Sequence, residues 1–445
     1  MIGIVVSRAD EVSTAIGEQL LDLGDWTARK DTDRPEADGG GTYHVADGFE
    51  LRTFDDLHLE LEGVAEAFAD PDLVIFVSRH SGETGPLLTA HVTGNFGAAE
   101  FGGEDGRLAE DAPNAKARVL AALDSHAPDG YDVCIECTHH GPSEVGAPAL
   151  FVEHGSGPEQ WADEDASRAV ARAVLDLRGV SPHRERQVVG IGGSHYAPRF
   201  TRITRETDWA VGHIAADWCL DALRERFDDP RRETVLSQAF EQSRTAYAVL
   251  DGDDPHIAAT IEDLGYRVVS ETWLRETAGV PLELVERIED AIGSIDDGLR
   301  FGSAVGEDGV DFETAELPAD LLAETTGIDR ERTMDAVDAH ALAYDTEEGG
   351  TIVSGPVAVA EEDALDAVVG ALIEIVETAY DSVERDGDVV CATERAFDPD
   401  RARDFGVPEG PAFGRLASGN PVTVDGETVT PADVTVERVR RFRVR

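Results

Sequence analysis

Three apolar, strand-like runs each deliver histidine at their carboxyl end. Val74-Ile75-Phe76-Val77 leads into Ser78-Arg79-His80. Val133-Cys134-Ile135 leads into Glu136-Cys137-Thr138-His139-His140-Gly141-Pro142. Val188-Val189-Gly190-Ile191 leads into Gly192-Gly193-Ser194-His195-Tyr196. A fourth, weaker instance is Phe151-Val152-Glu153-His154. Imidazole is the commonest side-chain metal ligand, and it titrates near neutral pH. In an open α/β sheet the ligand crevice lies beyond the carboxyl ends of the strands. His80, His139, His140 and His195 are therefore expected in one pocket. Glu136 or Glu153 would orient a histidine or act as base. A catalytic zinc needs about three protein ligands and an open position, and it acidifies bound water. The same histidines also suit acid–base chemistry without a metal. No H-E-x-x-H or H-x-x-E-H helix is present to suggest a zinc protease.

Other motifs point away from familiar chemistries. Gly190-Ile191-Gly192-Gly193-Ser194 follows a strand, but it is not a G-x-G-x-x-G and no helix clearly opens there. Its glycines allow backbone to approach a ligand closely. Arg79 and Arg199 flank the histidine motifs, and each suits either a phosphate or a carboxylate. Cys134 and Cys137 form a C-x-x-C, but they read as part of one buried strand, with the two side chains on opposite faces. That disfavours a redox or zinc-knuckle role. Four cysteines in 445 residues do not make a disulfide framework.

The elements that must hold these residues alternate. Strands are expected at 2–7, 72–78, 131–137, 149–153, 187–191, 245–250 and 266–270. Helices are expected at 10–23, 113–126, 158–178, 214–227 and 231–243, with another between the last two strands. Unbroken Val/Ile/Leu runs suit strands covered on both faces. The fold class is therefore α/β, a mainly parallel central sheet flanked by helices. Composition shifts near 275–285. Beyond it, helices are expected at 281–293 and 361–384 and a strand at 388–392, before a Pro/Gly-rich stretch at 406–414. The expected organisation is a catalytic domain over 1–280 and a smaller α+β C-terminal extension over 285–445. His340 is the extension's single histidine.

The charge balance bears on conditions rather than on chemistry. There are 91 acidic and 38 basic residues, a formal net charge of −53. Lysine occurs only at Lys30 and Lys116, and the acids are spread along the chain. Such a surface repels itself in dilute buffer. At molar salt the Debye length falls to about 3 Å and the repulsion is screened. The composition thus reads as adaptation to a salty cytoplasm. It does not exclude RNA as a partner, since at high salt counterion release gives little affinity to begin with. Recognition must then rest on shape, stacking and hydrogen bonds. No signal peptide or 18-residue apolar run is visible, so a cytoplasmic protein with no membrane span is expected.

Taken together, the motifs resemble those of the archaeal and plant type of D-aminoacyl-tRNA deacylase. The matching pieces are Ser78-Arg79-His80-Ser81, His91-Val92-Thr93-Gly94-Asn95 and Glu136-Cys137-Thr138-His139-His140-Gly141-Pro142. Phe151-Val152-Glu153-His154-Gly155-Ser156 with Trp161, Gly190 to Arg199, and Gly212-His213-Ile214 complete the set in family order. His154 stands where the family usually has an apolar residue, and Ser194 where it often has glycine. The resemblance implies hydrolysis of the ester between a D-amino acid and the terminal ribose of tRNA. It implies two zinc ions per chain and a fold related to peptidyl-tRNA hydrolase and nucleoside phosphorylases. By their position at the strand ends, the expected metal ligands are His80, His139, His140 and His195. The expected catalytic groups are His80, His140, His195, Glu136, Glu153 and Tyr196, the last also suited to stacking on the terminal adenine. The expected substrate contacts are Arg79, Arg199, His91, Asn95 and His213. The expected partner is the tRNA acceptor end carrying a D-amino acid; the oligomeric state stays open, with a monomer favoured. A metal-independent esterase like peptidyl-tRNA hydrolase and a non-catalytic RNA-binding protein are the alternatives.

Overall fold

Strands buried on both faces form the middle of a large sheet. Ile2–Ser7, Leu73–Arg79 and Ala149–Gly155 lie side by side and parallel, and Phe49–Phe54 extends the parallel set beyond Ile2–Ser7. The computed structural model describes residues 1–306 and 311–444, which fall into two compact units divided between Leu274 and Arg275. In the first unit the large sheet has eight strands. Its centre is parallel, as expected from the apolar runs, but both flanks reverse. Gly41–Ala46 pairs antiparallel with Phe49–Phe54, and Thr27–Asp31 antiparallel with Gly41–Ala46. On the other side Leu87–His91 runs antiparallel to Ala149–Gly155, and Asp132–Ile135 runs parallel to Leu87–His91.

One face of this sheet is a helix-covered core. Ile4, Val6, Ile75, Val77, Leu150 and Val152 meet Val12, Ile16 and Leu20 of the helix Glu11–Leu23, with Val119 and Val170 from Pro113–His126 and Glu164–Leu175. Burying each such side chain stabilises the fold by about 1.5–3 kcal/mol. Asp10 caps the first helix by accepting from the Val12 amide, and its second oxygen accepts from the Arg79 amide. The helix start and the end of a central strand are thereby tied together. The opposite face carries Phe76 and Phe151, stacked 4.5 Å apart.

A second, four-stranded parallel sheet stands beside it in the same unit, in the order Ala210–Ala215, Gln187–Gly192, Tyr247–Asp251, Arg267–Val268. The sequence pattern suggests a helix from 214; the chain instead forms the strand Ala210–Ala215 and then the helix Asp217–Arg226. Ala-Val-Gly-His-Ile-Ala is buried throughout, and short apolar runs do not separate strand from helix by periodicity. The helix expected over 158–178 divides into Pro158–Trp161 and Glu164–Leu175, because Asp163 caps the second piece from within. The strand carrying Cys134 ends at Ile135, so Cys137 lies beyond it and not on its opposite face.

The second unit is α+β. Arg300–Phe301, Ala343–Glu347, Ile352–Val359 and Glu313–Glu316 make an antiparallel sheet. Val357, Val359 and Tyr344 share a core with Leu321, Val337, Val368 and Leu372 of its helices. The helix expected over 361–384 stops at Glu377, and Ser382–Asp386 turns into a strand paired with Val389–Phe397.

Candidate active site and metal centre

Strand alternation decides which side chains reach the site. Phe76 is level with Phe151, and Ser78 with Glu153. Phe151 is level with His91, and Glu153 with Thr89. These residues therefore share the face opposite the helices. His80 continues the row past Ser78, and Glu136 follows Ile135, the partner of Ala90. His154 falls on the other face, where its Nε2 lies 3.0 Å from Ser167 Oγ on Glu164–Leu175. The site is thus built on one sheet face across strands that run in both directions. This corrects the expectation of a common carboxyl-end crevice. His195 arrives from the second sheet: the Cys137 amide donates to the His195 carbonyl at 2.8 Å, and the Thr138 amide to that of Ile214 at 2.9 Å.

Glu136 is the hub. Its carboxylate is fully buried and lies 3.4 Å from His80 Nε2, 3.6 Å from His139 Nε2 and 3.0 Å from His195 Nε2. Behind it, His91 Nε2 lies 3.7 Å from Glu153 Oε1. Backbone carbonyls fix three of the rings. His91 Nδ1 faces the Val92 carbonyl at 3.1 Å, His139 Nδ1 that of Cys137 at 2.8 Å, and His140 Nδ1 that of Gly141 at 2.7 Å. A carbonyl only accepts, so each Nδ1 carries the proton and each neutral ring keeps its lone pair on Nε2. His80 is fixed likewise: Ser156 Oγ donates to the Gly85 carbonyl and so accepts from His80 Nδ1 at 2.9 Å. The His139-His140 turn is tight. His140 has φ +46°, and a Cβ on Gly141 would lie 2.5 Å from the Gly103 amide nitrogen, so only glycine fits there.

The electrostatics call for positive charge at this point. Burial would raise the Glu136 pKa, but the hydrogen bond from His195 holds it well below the usual carboxylate range. Burial, then the neighbouring His91, push His139 and His140 well below the ordinary histidine value, so both are neutral. Burial alone would lower His91, but the Glu153 and Glu136 carboxylates raise it. At His195 burial is likewise outweighed by Cys137 and Glu136, which raise it to about 10. A proton satisfies these carboxylates, and so would a cation.

The donor set fits a metal ion. Ligand atoms of His91, His139 and His140 lie within 4.8 Å of one another, as do those of Cys137, His139 and His195, and those of His91, Glu136 and Glu153. His91 Nε2 and Glu136 Oε1 are buried without a hydrogen-bond partner. Unpaired buried acceptors of this kind are costly unless something fills the space between them. Convergent imidazoles with a carboxylate suit zinc, and backbone bonds at the distal nitrogens are the usual support for such ligands. His80 belongs to none of the three groups.

A cavity of about 960 Å³ opens over this cluster. His80, His139, His140, His195, Glu136, Glu153 and Tyr196 all line it, as do Arg79 and Asn95. Three residues expected to touch substrate do not line this cavity. His91 is buried behind the cavity wall, within the ligand cluster. His213 is fully buried and holds Thr138 Oγ1 and the Ala109 carbonyl, each at 2.9 Å. Arg199 donates to the Leu250 carbonyl and faces Asp251 and Glu271. Tyr196 lies between His80 and His195, half-buried in the cavity wall, with its hydroxyl 3.4 Å from His80 Nε2. Phe101 and Trp218 carry no signal in the sequence, and Cys137, disfavoured there as a ligand, joins one of the three ligand groups. The two aromatics lie outside the motifs, since a lone aromatic shows no spacing that separates a binding surface from core, while Cys137 lies inside the Glu136–His140 motif.

Comparison with known proteins bears on this geometry. The family model described as D-aminoacyl-tRNA deacylase matches residues 67–269. The chain is 58% identical over 444 residues to the D-aminoacyl-tRNA deacylase of Natronomonas pharaonis, covering 99% of this chain and 100% of that one. It is 52% identical to that of Halorubrum lacusprofundi, covering 100% of this chain and 97% of that one. The crystal structure of a conserved protein of unknown function matches with a TM-score of 0.55 and 28% identity, covering 62% of this chain and 98% of that one.

Proposed function

This chain belongs to the D-aminoacyl-tRNA deacylase family, and we propose on that footing that it hydrolyses the ester joining a D-amino acid to the terminal ribose of tRNA. The observation that carries the reading is the ring of histidines around one buried carboxylate on the floor of the cavity. Water adds to the ester carbonyl and the bond to the ribose oxygen breaks, leaving free D-amino acid and tRNA. His80, its Nδ1 proton held by Ser156, presents an Nε2 lone pair to the cavity. It takes the proton from the attacking water and returns it to the departing ribose oxygen. His195, kept protonated by Glu136, stabilises the negative charge that develops on the carbonyl oxygen. Glu136 thereby fixes both the orientation and the charge of His195.

His91, His139 and His140, with Glu136 and Glu153 beside them, would hold a zinc ion. When bound, that ion would acidify water and polarise the ester carbonyl. A second ion would take the group Cys137, His139 and His195, in competition with the proton on His195. The specificity for the D-form, a monomeric chain and a cytoplasmic location belong to the same proposal. A cytoplasmic site follows from the tRNA substrate, and no described helix is long and apolar enough to cross a membrane. The test is hydrolysis of D- and L-tyrosyl-tRNA in molar salt. The D-ester is expected to be cleaved at least roughly tenfold faster, about 1.4 kcal/mol in transition-state binding. Equal rates would reduce the reading to a general esterase.

A further inference from the structure

Two large aromatic side chains stand open in the same cavity. Phe101 is 66% exposed and Trp218 48%, and among the described residues they are the exposed large apolar side chains of the first unit. Both line the space above the histidines. Trp218 opens the helix Asp217–Arg226, and its ring stacks at 27° on that of His195, with centroids 6.3 Å apart. Phe101 sits on a loop held to the site: its carbonyl accepts from the Gly141 amide at 2.9 Å, and that of Gly102 accepts from Asn95 Nδ2 at 3.0 Å. Loop and helix meet at Gly97, where a Cβ would lie 2.7 Å from that of Ala222. The two aromatics are therefore carried on packed, tethered elements, which lowers the ordering cost of binding.

We infer that Trp218 and Phe101 form the subsite that receives the 3′-terminal base of the tRNA, with Trp218 as the stacking surface. The inference rests on the reading of the chain as a D-aminoacyl-tRNA deacylase and extends it to recognition. The ester is carried by the ribose of that terminal nucleotide, so its base must lie next to the reacting group. A ring stacked on His195 is in that position. Charge cannot easily do this work in a chain of net charge −53 at molar salt, where attraction to phosphate is screened. Stacking of a base on an aromatic face does not depend on salt in that way. Arg79, whose guanidinium lies over Trp161 and makes no ion pair among the described residues, remains free to meet a nearby phosphate.

The test is a double comparison on the full-length protein in molar salt. W218A and W218F are assayed on D-tyrosyl-tRNA and on the same RNA with hydrogen in place of the terminal base. W218A should lose roughly tenfold or more in kcat/KM on the complete substrate, mainly through KM, and W218F should restore most of it. The gap between wild type and W218A should close on the baseless substrate. The same loss on both substrates, or none on either, would overturn the inference while leaving the deacylase reading intact. Calorimetric binding of the free trinucleotide CCA is the arm independent of turnover. Wild type should bind it several-fold more tightly than W218A, even if no ester were cleaved. Equal binding, or none by either protein, would also overturn the inference.

Discussion

The imidazoles of His91 and His139 lie 4.2 Å apart between ring centroids, although one ends a strand and the other sits in a turn 48 residues later. Each has its Nδ1 on a backbone carbonyl, so both turn Nε2 toward the same small space. Two imidazole nitrogens facing one another in a dry interior are unfavourable unless a positive charge, a proton or a metal ion, lies between them. Metal binding and catalysis should therefore separate by residue. His139→Ala should lower zinc content and turnover together. His80→Ala, which removes no member of the ligand groups, should lower turnover by roughly 100-fold or more and leave zinc in place. Metal analysis beside single-turnover rates decides it, and equal metal loss in both variants would dissolve the division of roles.

Trp218 and the His91 cluster also mark what could and could not be read from the sequence. His80, His139, His140 and His195 were legible because each follows an apolar run, and the cavity does gather them. The chain brings them together by a different route. Leu87–His91 is a five-residue strand with no clear period, so the reversal it imposes on the sheet was invisible, and with it the placement of His91. His213 is expected from its motif to contact substrate, but a strand buried on both faces hides its side chains wherever they fall. Pairing across the sheet, not order along the chain, decides such cases.

Acid should destabilise the fold before it reaches the carboxylates. Burial holds His58, His154 and His213 down to about 4. In the unfolded chain they take up protons near the ordinary histidine value of 6.5. The unfolded state thus binds more protons as pH falls between these values, and stability present above 6.5 is progressively lost, on the order of 3 kcal/mol per group. Thermal melts in molar salt at pH 7 and pH 4.5 should show a clear fall in Tm, and His154→Gln should make the fall smaller. A Tm that does not change over this range would refute the assignment.

Dilution of salt should unfold the protein. With a net charge of −53, self-repulsion grows as the Debye length lengthens from about 3 Å at 1 M to about 30 Å at 0.01 M. Circular dichroism across a salt titration should show loss of structure at the low end. The same Tm in dilute buffer and molar salt would contradict this.

Residues 1–274 should fold alone and retain deacylation, since every histidine and carboxylate of the site belongs to that unit. The truncated chain, assayed in molar salt on D-tyrosyl-tRNA, is expected to keep a measurable fraction of the full-length rate. A folded truncation with no turnover would assign part of catalysis to the second unit.

A metal ion held by the histidine cluster is expected to be needed for deacylation. The direct measurement is D-tyrosyl-tRNA turnover in molar salt after chelation, with zinc content determined on the same samples and again after zinc is restored. Turnover should fall with bound zinc and return in proportion to it, while the circular dichroism spectrum stays that of the folded chain. Full turnover by folded, zinc-free protein would contradict the claim and leave a metal-independent esterase in its place.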